Sequence, residues 1–479
     1  MMAPAMRRDA WIALSLAAIV CAIWTPSLHG SFQFDDWNVI VHESRVHSIS
    51  AWWQSMPGIR PVLKLSYALN YELGSGVVGF RFVNVALHAC NAVLVFLLLQ
   101  LLSREIPLTG ARESTSTRTT LAAATAALLF ALHPVQSDAV TYISGRSSVL
   151  AGSFSLLALF LWARGPTRLN WLSLACFALA LGVKETALAL PLIVTLWWAV
   201  GRSARHSTNG ADMYSLRQVL APYLLVAAAL VIIAATLTPY PQMIASAAER
   251  RTIDGNLLTQ ANGVSYLLGQ TLLVREPNAD PALPYVGTLN SATALRGLML
   301  LALLALGCAL FKRRPAWSFS ILWFFAWLAP TNSFIPRVDA VFDRQLYLAL
   351  IGPAWLVARS LASARWRIGA AIGLLASMGL IALFARQTLS RHAAYENEIV
   401  FWQDVLVKSP ANARAANNLG MAYAEACNTT AALEQFASAT RLAPEDPYAR
   451  VNAALLRHGK LDGVPADCQQ SHAAQSTEQ

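Results

Sequence analysis

Apolar runs close to the length of a membrane span recur along this chain from Asp9 to Arg386, and nothing else narrows its folding choices so far. A bilayer core is crossed by roughly 20 mostly apolar residues in a helix, because each backbone polar group must be satisfied within its own segment. Eleven runs can be read, near 10–28, 79–102, 120–133, 147–163, 170–183, 187–200, 219–238, 292–311, 316–331, 345–360 and 368–386. Charged residues make up only 13% of the chain, against about 25% in a soluble domain. The expected fold class is therefore all-α, a polytopic helical membrane protein with about 11 transmembrane helices. The opening MMAPAMRRDAWIALSLAAIVCAIW begins like a secretory signal. Its long apolar run and the lack of a small-x-small cleavage site make it read as a retained first span.

The net charge of +10 raises nucleic acid as a partner, but its distribution points to a membrane instead. Arg7, Arg8, Arg104, Arg112, Arg118, Arg164, Arg168, Arg202, Arg205, Arg217, Lys312, Arg313, Arg314, Arg359, Arg365 and Arg367 all fall on alternate short connections. Only Asp9, Glu105, Glu113 and Asp212 oppose them there, so that side carries an excess of +12 and the rest of the chain is near −2. This is the positive-inside asymmetry, and it puts the N-terminus in the cytoplasm. An odd number of spans then puts the C-terminus on the other side. Arg outnumbers Lys 31 to 5, a bias of GC-rich bacterial genomes, so the expected location is a bacterial inner membrane with the C-terminal segment periplasmic. Cys21, Cys90, Cys176 and Cys308 lie inside apolar runs and read as packing residues.

On the non-cytoplasmic side the connections 29–78, 134–146 and 239–291 are long, and 332–344 is dense in polar groups. The stretch NLLTQANGVSYLLGQTLLV, around 257–275, reads as an amphipathic or re-entrant helix; the basic Lys312-Arg313-Arg314 that follows argues against a full span. From about 390 the composition changes. Leu419, Gly420, Tyr423, Ala432, Phe436, Ala439 and Pro444 match seven of eight positions of the tetratricopeptide pattern. Trp402 and Pro410 fit a preceding half repeat. The expected organisation is a membrane domain over 1–389, a small helical repeat domain over 390–460 and a tail over 461–479. Cys427 and Cys468 could staple this region in an oxidising periplasm, or be two unrelated thiols.

Chemistry-bearing residues converge on the same side. Asp35 and Asp36 open the first outer loop in FQFDDWN, flanked by Phe34 and Trp37 as an interfacial frame. Arg60 follows in GIRPVLKLSYALNY. The second span begins with Arg81, Asn84 and His88. The LHPVQSDAVTYISGR loop supplies His133, Asp138, Tyr142 and Arg146. Lys184 and Glu185 end the fifth span, and Arg337, Asp339, Asp343, Arg344 and Tyr347 surround the ninth and tenth. Single Arg or Asp residues at helix ends often only anchor the interface, and Trp52 and Trp53 read as such anchors. Asn84 and His88, one turn apart, suit an interhelical hydrogen bond better than a metal. Charges within apolar surroundings tend to be functional, however, and four loops contribute acids and bases at one level.

One chemistry suits that layout. A sugar on a polyprenyl phosphate keeps its lipid in the bilayer and offers its head at the interface. Transfer to a hydroxyl needs a carboxylate to take the proton and cations to hold the departing phosphate. Asp35 or Asp36 could be the base, with Arg60, Arg146, Lys184 and Arg344 on the phosphate and His133, Asp138, Tyr142, Glu185, Asp343 and Tyr347 in support. A single displacement would invert the anomeric centre. No feature singles out a metal site, although Asp35 or Asp36 could ligate Mg2+ or Mn2+ through oxygen.

The motifs FQFDDWNVIVHESRV, RPVLKLSYALNY, FRFVNVALHACNAVL, LHPVQSDAVTYISGRSSVLAG, KETALALPL and FDRQLYLALIG occur in an order and spacing that resembles the tetratricopeptide-containing O-mannosyltransferase-like membrane proteins. These are relatives of the dolichyl-phosphate-mannose protein mannosyltransferases, with the GT-C fold. The resemblance covers nearly the whole chain. It implies a polyprenyl-phosphate-linked sugar donor and an acceptor outside the cytoplasm, either an exported protein or a glycolipid. Asp35 matches the family's Asp and Asp36 replaces its usual Glu, which leaves open which is the base. Arg60-Pro61 and Gly145-Arg146 carry over directly. Asp138 stands where a Glu is usual, and Phe342-Asp343-Arg344 where Glu-His-Arg is common. A non-catalytic membrane scaffold displaying repeat helices is the contrasting reading, but it has no need of clustered acids and bases.

Overall fold

The computed structural model describes residues 4–107, 115–165, 171–205, 215–273, 275–337, 339–363, 367–465 and 468. Of the charges counted above, Arg112, Glu113, Arg168, Asp212 and Arg365 lie outside the described residues, as does most of the 461–479 tail. Among the described residues, the chain is helix and loop with no strand. Seven helices among the described residues are long and apolar enough to cross a membrane. Two bent pairs bring the count to nine: Thr117–Ala131 with Pro134–Val140, at 49°, and Asp343–Ala349 with Ile351–Ala362, at 54°. The shorter apolar helices Trp171–Val183 and Pro315–Leu328 account for the remaining two of the eleven runs.

The helix ends sort into two groups. On the basic side Arg8 donates to Thr120 Oγ1 at 3.2 Å, and Arg359 donates to the carbonyls of Ile106 and Pro107 at 2.7 and 2.6 Å. At the opposite ends Arg81, buried on the Gly76–Glu105 helix, donates from Nη1 to the Ser27 and His29 carbonyls and from Nη2 to those of Ser31 and Tyr395. One guanidinium thus ties the exits of the first and last apolar helices to the second. In the bundle between, polar side chains pair across helices, as groups shielded from water must. His88 bonds Tyr347 Oη at 2.8 Å and the Ala131 carbonyl at 2.9 Å, and Asn91 donates to the same Tyr347 oxygen at 2.9 Å. His88 and Tyr347 are therefore interhelical joints, with Phe96, Phe130, Trp323 and Trp355 in the apolar core around them.

The open segment near 257–275 forms the Ile253–Thr271 helix, which is not among those apolar enough to cross a membrane. Its polar face is buried inward. Asn256 donates to the Ser333 carbonyl at 2.7 Å, Gln260 donates to the Ala340 carbonyl at 3.2 Å, and Asn332 donates to Gln260 Oε1 at 2.8 Å. This helix braces the 332–345 loop.

After the last apolar helix come Glu398–Lys408, Ala413–Glu425, Thr429–Leu442 and Tyr448–Arg457. Asn397, Asn412 and Asn428 cap the first three through their side chains, each accepting from the backbone three residues on. A Cβ on Gly420 would lie 2.7 Å from the Phe436 ring, so only glycine lets these two helices pack as they do. Cys427 and Cys468 are joined as a disulfide with Cα atoms 5.4 Å apart.

Candidate active site

One backbone feature of the 29–36 segment separates its two carboxylates. Phe34 adopts φ +50°, a left-handed conformation that costs a branched or bulky residue energy and needs outside support. Asp36 then turns inward and is 1% exposed. Its Oδ2 accepts from the Gln33 N–H at 3.1 Å, and its Oδ1 accepts from the Ser144 N–H at 2.8 Å and the Ser144 hydroxyl at 2.5 Å. Burial pushes the Asp36 carboxyl up to about 7 in spite of those hydrogen bonds. Asp35 turns the other way. Its side chain keeps 43% of its surface accessible and lies 3.9 Å from Arg344 Nη2. Its backbone N–H donates to the Tyr142 hydroxyl at 3.0 Å.

Asp35 lines a cleft of about 280 Å3 together with Glu43, Arg60, Lys64, Lys184, Arg337 and Arg344; Val39, Ile59, Leu63 and Phe342 supply apolar wall. Five basic side chains face two carboxylates there, an arrangement suited to an anionic group with an apolar attachment. Arg60 also has left-handed backbone, φ 51° and ψ 55°, immediately before Pro61 opens the Pro61–Glu72 helix. Glu185 holds it in place, accepting from Nη2 at 2.8 and 2.9 Å. Arg337 stands 3.7 Å from the same Glu185. Arg60 Nε is buried without a hydrogen-bond partner among the described residues. Lys64, one helical turn after Arg60, approaches Glu43 at 3.4 Å. The Arg45 guanidinium bound to Glu43 holds that carboxyl down to about 2, so it stays ionised. Lys184 lines the cleft and donates to Ser148 Oγ at 2.8 Å; burial, with Arg60 and Arg344 nearby, pushes its ammonium well below the usual lysine range.

Arg344 is the pivot. Its Nη1 reaches Asp138 Oδ1 at 3.2 Å, its backbone N–H donates to Asp138 Oδ2 at 2.9 Å, and its guanidinium carbon lies 3.8 Å from the centre of the Phe342 ring. Asp138 and Tyr142 sit behind this contact and serve Arg344 and Asp35 from within the protein.

Several residues expected in the site are elsewhere. Arg146 is 0% exposed and does not line the cleft. Its Nε donates to Asn84 Oδ1 at 2.8 Å, Nη1 to the Ser66 carbonyl at 3.0 Å and Nη2 to the Phe80 carbonyl at 2.7 Å. Three of its five N–H groups are thus engaged inside the bundle. Gly145 before it is required by crowding, since a Cβ there would come within 2.5 Å of the Asp138 carbonyl. Asp343 is buried and accepts from the Asn278 N–H at 2.8 Å and the Tyr266 hydroxyl at 3.2 Å, bracing the 275–281 segment. His133 is buried against Phe384 and accepts from the Val135 N–H at 3.3 Å. Phe34 and Trp37, read as an interfacial frame, are held by the protein: the Phe34 ring lies against Tyr142 and Trp402, and Trp37 Nε1 donates to Glu398 at 2.9 Å. Conversely, Lys64 and Glu43 were not anticipated as cleft residues, and Arg337 looked like an anchor. The one-turn spacing of Arg60 and Lys64 was the signal for the first of these. Of the two carboxylates considered for a metal, Asp36 has both oxygens accepting from hydrogen-bond donors, and Asp35 lies 3.9 Å from the Arg344 guanidinium.

Along 91% of its length the chain is similar to the mouse protein O-mannosyl-transferase TMTC3, at 24% identity over 52% of that protein. It is similar over the same share to the Caenorhabditis elegans protein O-mannosyl-transferase F38B6.6, at 22% identity over 63% of it. A shorter stretch, 31% of the chain, is 30% identical to human protein O-mannosyl-transferase TMTC4 over 22% of that protein. The chain therefore spans between about a fifth and two thirds of these curated relatives. No family model and no solved structure matches it.

Proposed function

We propose that the chain is a membrane glycosyltransferase that moves a sugar from a polyprenyl-phosphate donor to a Ser or Thr hydroxyl of an exported protein, at the periplasmic face of a bacterial inner membrane. The observation that carries this reading is the placement of Asp35 and Arg344 on the wall of one cleft shared with Arg60, Lys64, Lys184 and Arg337. The lipid of the donor stays in the bilayer along the apolar wall, and the phosphate is held among the cations. Asp35 accepts the proton of the acceptor hydroxyl as its oxygen attacks the anomeric carbon. The bond from that carbon to the phosphate oxygen breaks on the opposite face, the configuration inverts, and the lipid phosphate leaves with the bonding pair. Arginine suits the two-point recognition of that phosphate, and lysine adds a compact charge. In a site with little water these charges act more strongly than in solution. The names of the relatives support a protein acceptor. A glycolipid acceptor is the second reading; it is favoured by the commitment of Asn412 and Arg414, on the first repeat-like helix pair, to contacts with Asp280 and Asp339 in the outer loops. Comparative glycoproteomics and glycolipid analysis of cells with and without the gene tests both. Loss of glycan from exported proteins supports the first reading, loss from glycolipid the second, and identical profiles in both fractions overturn the proposal.

A further inference from the structure

The turn that aims Asp35 is held by the C-terminal helices. Glu398 is the first residue of the Glu398–Lys408 helix, where a carboxylate also suits the helix N-terminus. Its Oε1 accepts from the Phe34 N–H and from Trp37 Nε1, both at 2.9 Å, and its Oε2 accepts from Trp402 Nε1 at 2.5 Å. These contacts bracket Asp35 and Asp36 on both sides. Phe34, the residue with the unfavourable backbone, is further gripped through its ring. Trp402 meets it edge-on at 5.2 Å, and the Arg414 guanidinium lies over it at 5.3 Å. Arg414 in turn pairs with Asp280 at 2.7 Å and with Asp339, two residues from Arg337, at 2.8 Å. The Glu396 carbonyl adds a hydrogen bond from the Ser31 N–H at 3.2 Å.

We propose that Glu398 is a positioning residue of the transfer reaction. By accepting from Phe34 and Trp37 it keeps Phe34 left-handed, and that conformation sends Asp35 into the cleft and Asp36 into the core. The C-terminal helices are then part of the catalytic unit and not a separable acceptor-binding appendage. This rests on the glycosyltransferase reading above. Glu398 is not among the residues that line the cleft, so its removal would displace Asp35 while leaving the cation wall intact.

The test uses the full chain in detergent or vesicles, with transfer and binding of polyprenyl phosphate alone measured separately. Glu398→Ala is expected to lower kcat on the order of a hundredfold, as small misplacements of a reacting group do. Polyprenyl phosphate affinity should stay within about twofold, since no cleft cation is disturbed. Glu398→Gln keeps one accepting oxygen and recovers part of the rate. Wild-type kcat in Glu398→Ala, together with loss of activity in Asp35→Asn, overturns the positioning role and leaves the glycosyltransferase reading standing. Equal loss of kcat and of polyprenyl phosphate binding overturns it as well, since that is the mark of general unfolding. Wild-type transfer in Asp35→Asn instead overturns the underlying reading, and this proposal with it.

Discussion

Arg344 Nη2 stands 3.9 Å from Asp35, while the same guanidinium donates to Asp138 at 3.2 Å. Asp138 is buried and Asp35 is not, so the two carboxylates relate to this cation differently. The inner one fixes the guanidinium. The outer one makes only a loose contact with it and stays accessible. On the proposed reading, a phosphate entering between Arg344 and Arg60 would meet a cation already oriented from behind.

The two adjacent aspartates should separate in function. Asp35→Asn is expected to reduce transfer by about 10^2- to 10^4-fold, the range for loss of a general base, with little change in thermal stability. Asp36→Asn should chiefly lower the unfolding temperature, because its oxygens hold Gln33 and Ser144. Unfolding of the purified variants followed by tryptophan fluorescence, beside a transfer assay, checks both. Full transfer by Asp35→Asn would remove it from the mechanism.

Arg60→Ala should weaken the donor more than it slows the chemistry. Removing it leaves Glu185 with Arg337, at 3.7 Å, and Lys184 nearby, and turns part of the cation wall anionic. A rise in donor KM of about tenfold or more is expected, the order lost with one charged hydrogen-bonding partner. An unchanged KM at limiting donor would show that the phosphate binds elsewhere.

Arg146→Ala should behave as a folding defect. Asn84 Oδ1 and the carbonyls of Ser66 and Phe80 would lose their donor inside the bundle. The loss is on the order of 3 kcal/mol or more, since buried acceptors left without a partner are costly. Protein that still folds should bind polyprenyl phosphate normally. Normal stability with weakened donor binding would return Arg146 to the cleft.

Asp36 also predicts a pH dependence. Its carboxyl is raised to about 7 in the folded chain from an ordinary value of 3.8, so the folded state holds the proton more tightly than the unfolded one. The stabilisation from this group is complete below the ordinary value and is lost as pH rises through about 7. Wild type should therefore exceed Asp36→Asn in unfolding temperature by a wider margin at pH 5 than at pH 8. The opposite trend would mean that the carboxylate is ionised when buried.

The helices were legible because hydropathy over a span-length window depends on little besides composition. The eleven runs reappear as helices, including the short Trp171–Val183 and Pro315–Leu328. The choice between neighbouring side chains was not legible. Asp35 and Asp36 differ by one position, and what separates them is the sign of φ at Phe34, set by contacts 364 residues away at Glu398. Arg146 and Arg344 share a residue type, and both follow a loop between apolar helices. Arg146 meets Asn84, which takes it into the bundle, whereas Arg344 meets Asp138, which props it at the cleft. Such distinctions depend on partners distant in sequence, which motif spacing does not encode.

The reach of Arg81 has a consequence for the order in which the protein matures. Its guanidinium joins the carbonyls of Ser27, His29 and Ser31 to that of Tyr395. The wall bearing Asp35 is thus built from segments far apart in the chain, and a ribosome that has made the first but not the second holds an inserted protein with an unfinished turn. On the proposed mechanism, donor that reached the cations during that interval would find no aimed base. Competence for transfer would arrive only once the Glu398–Lys408 helix had been made and had closed over Phe34, so a product cut before it would be inserted but inert.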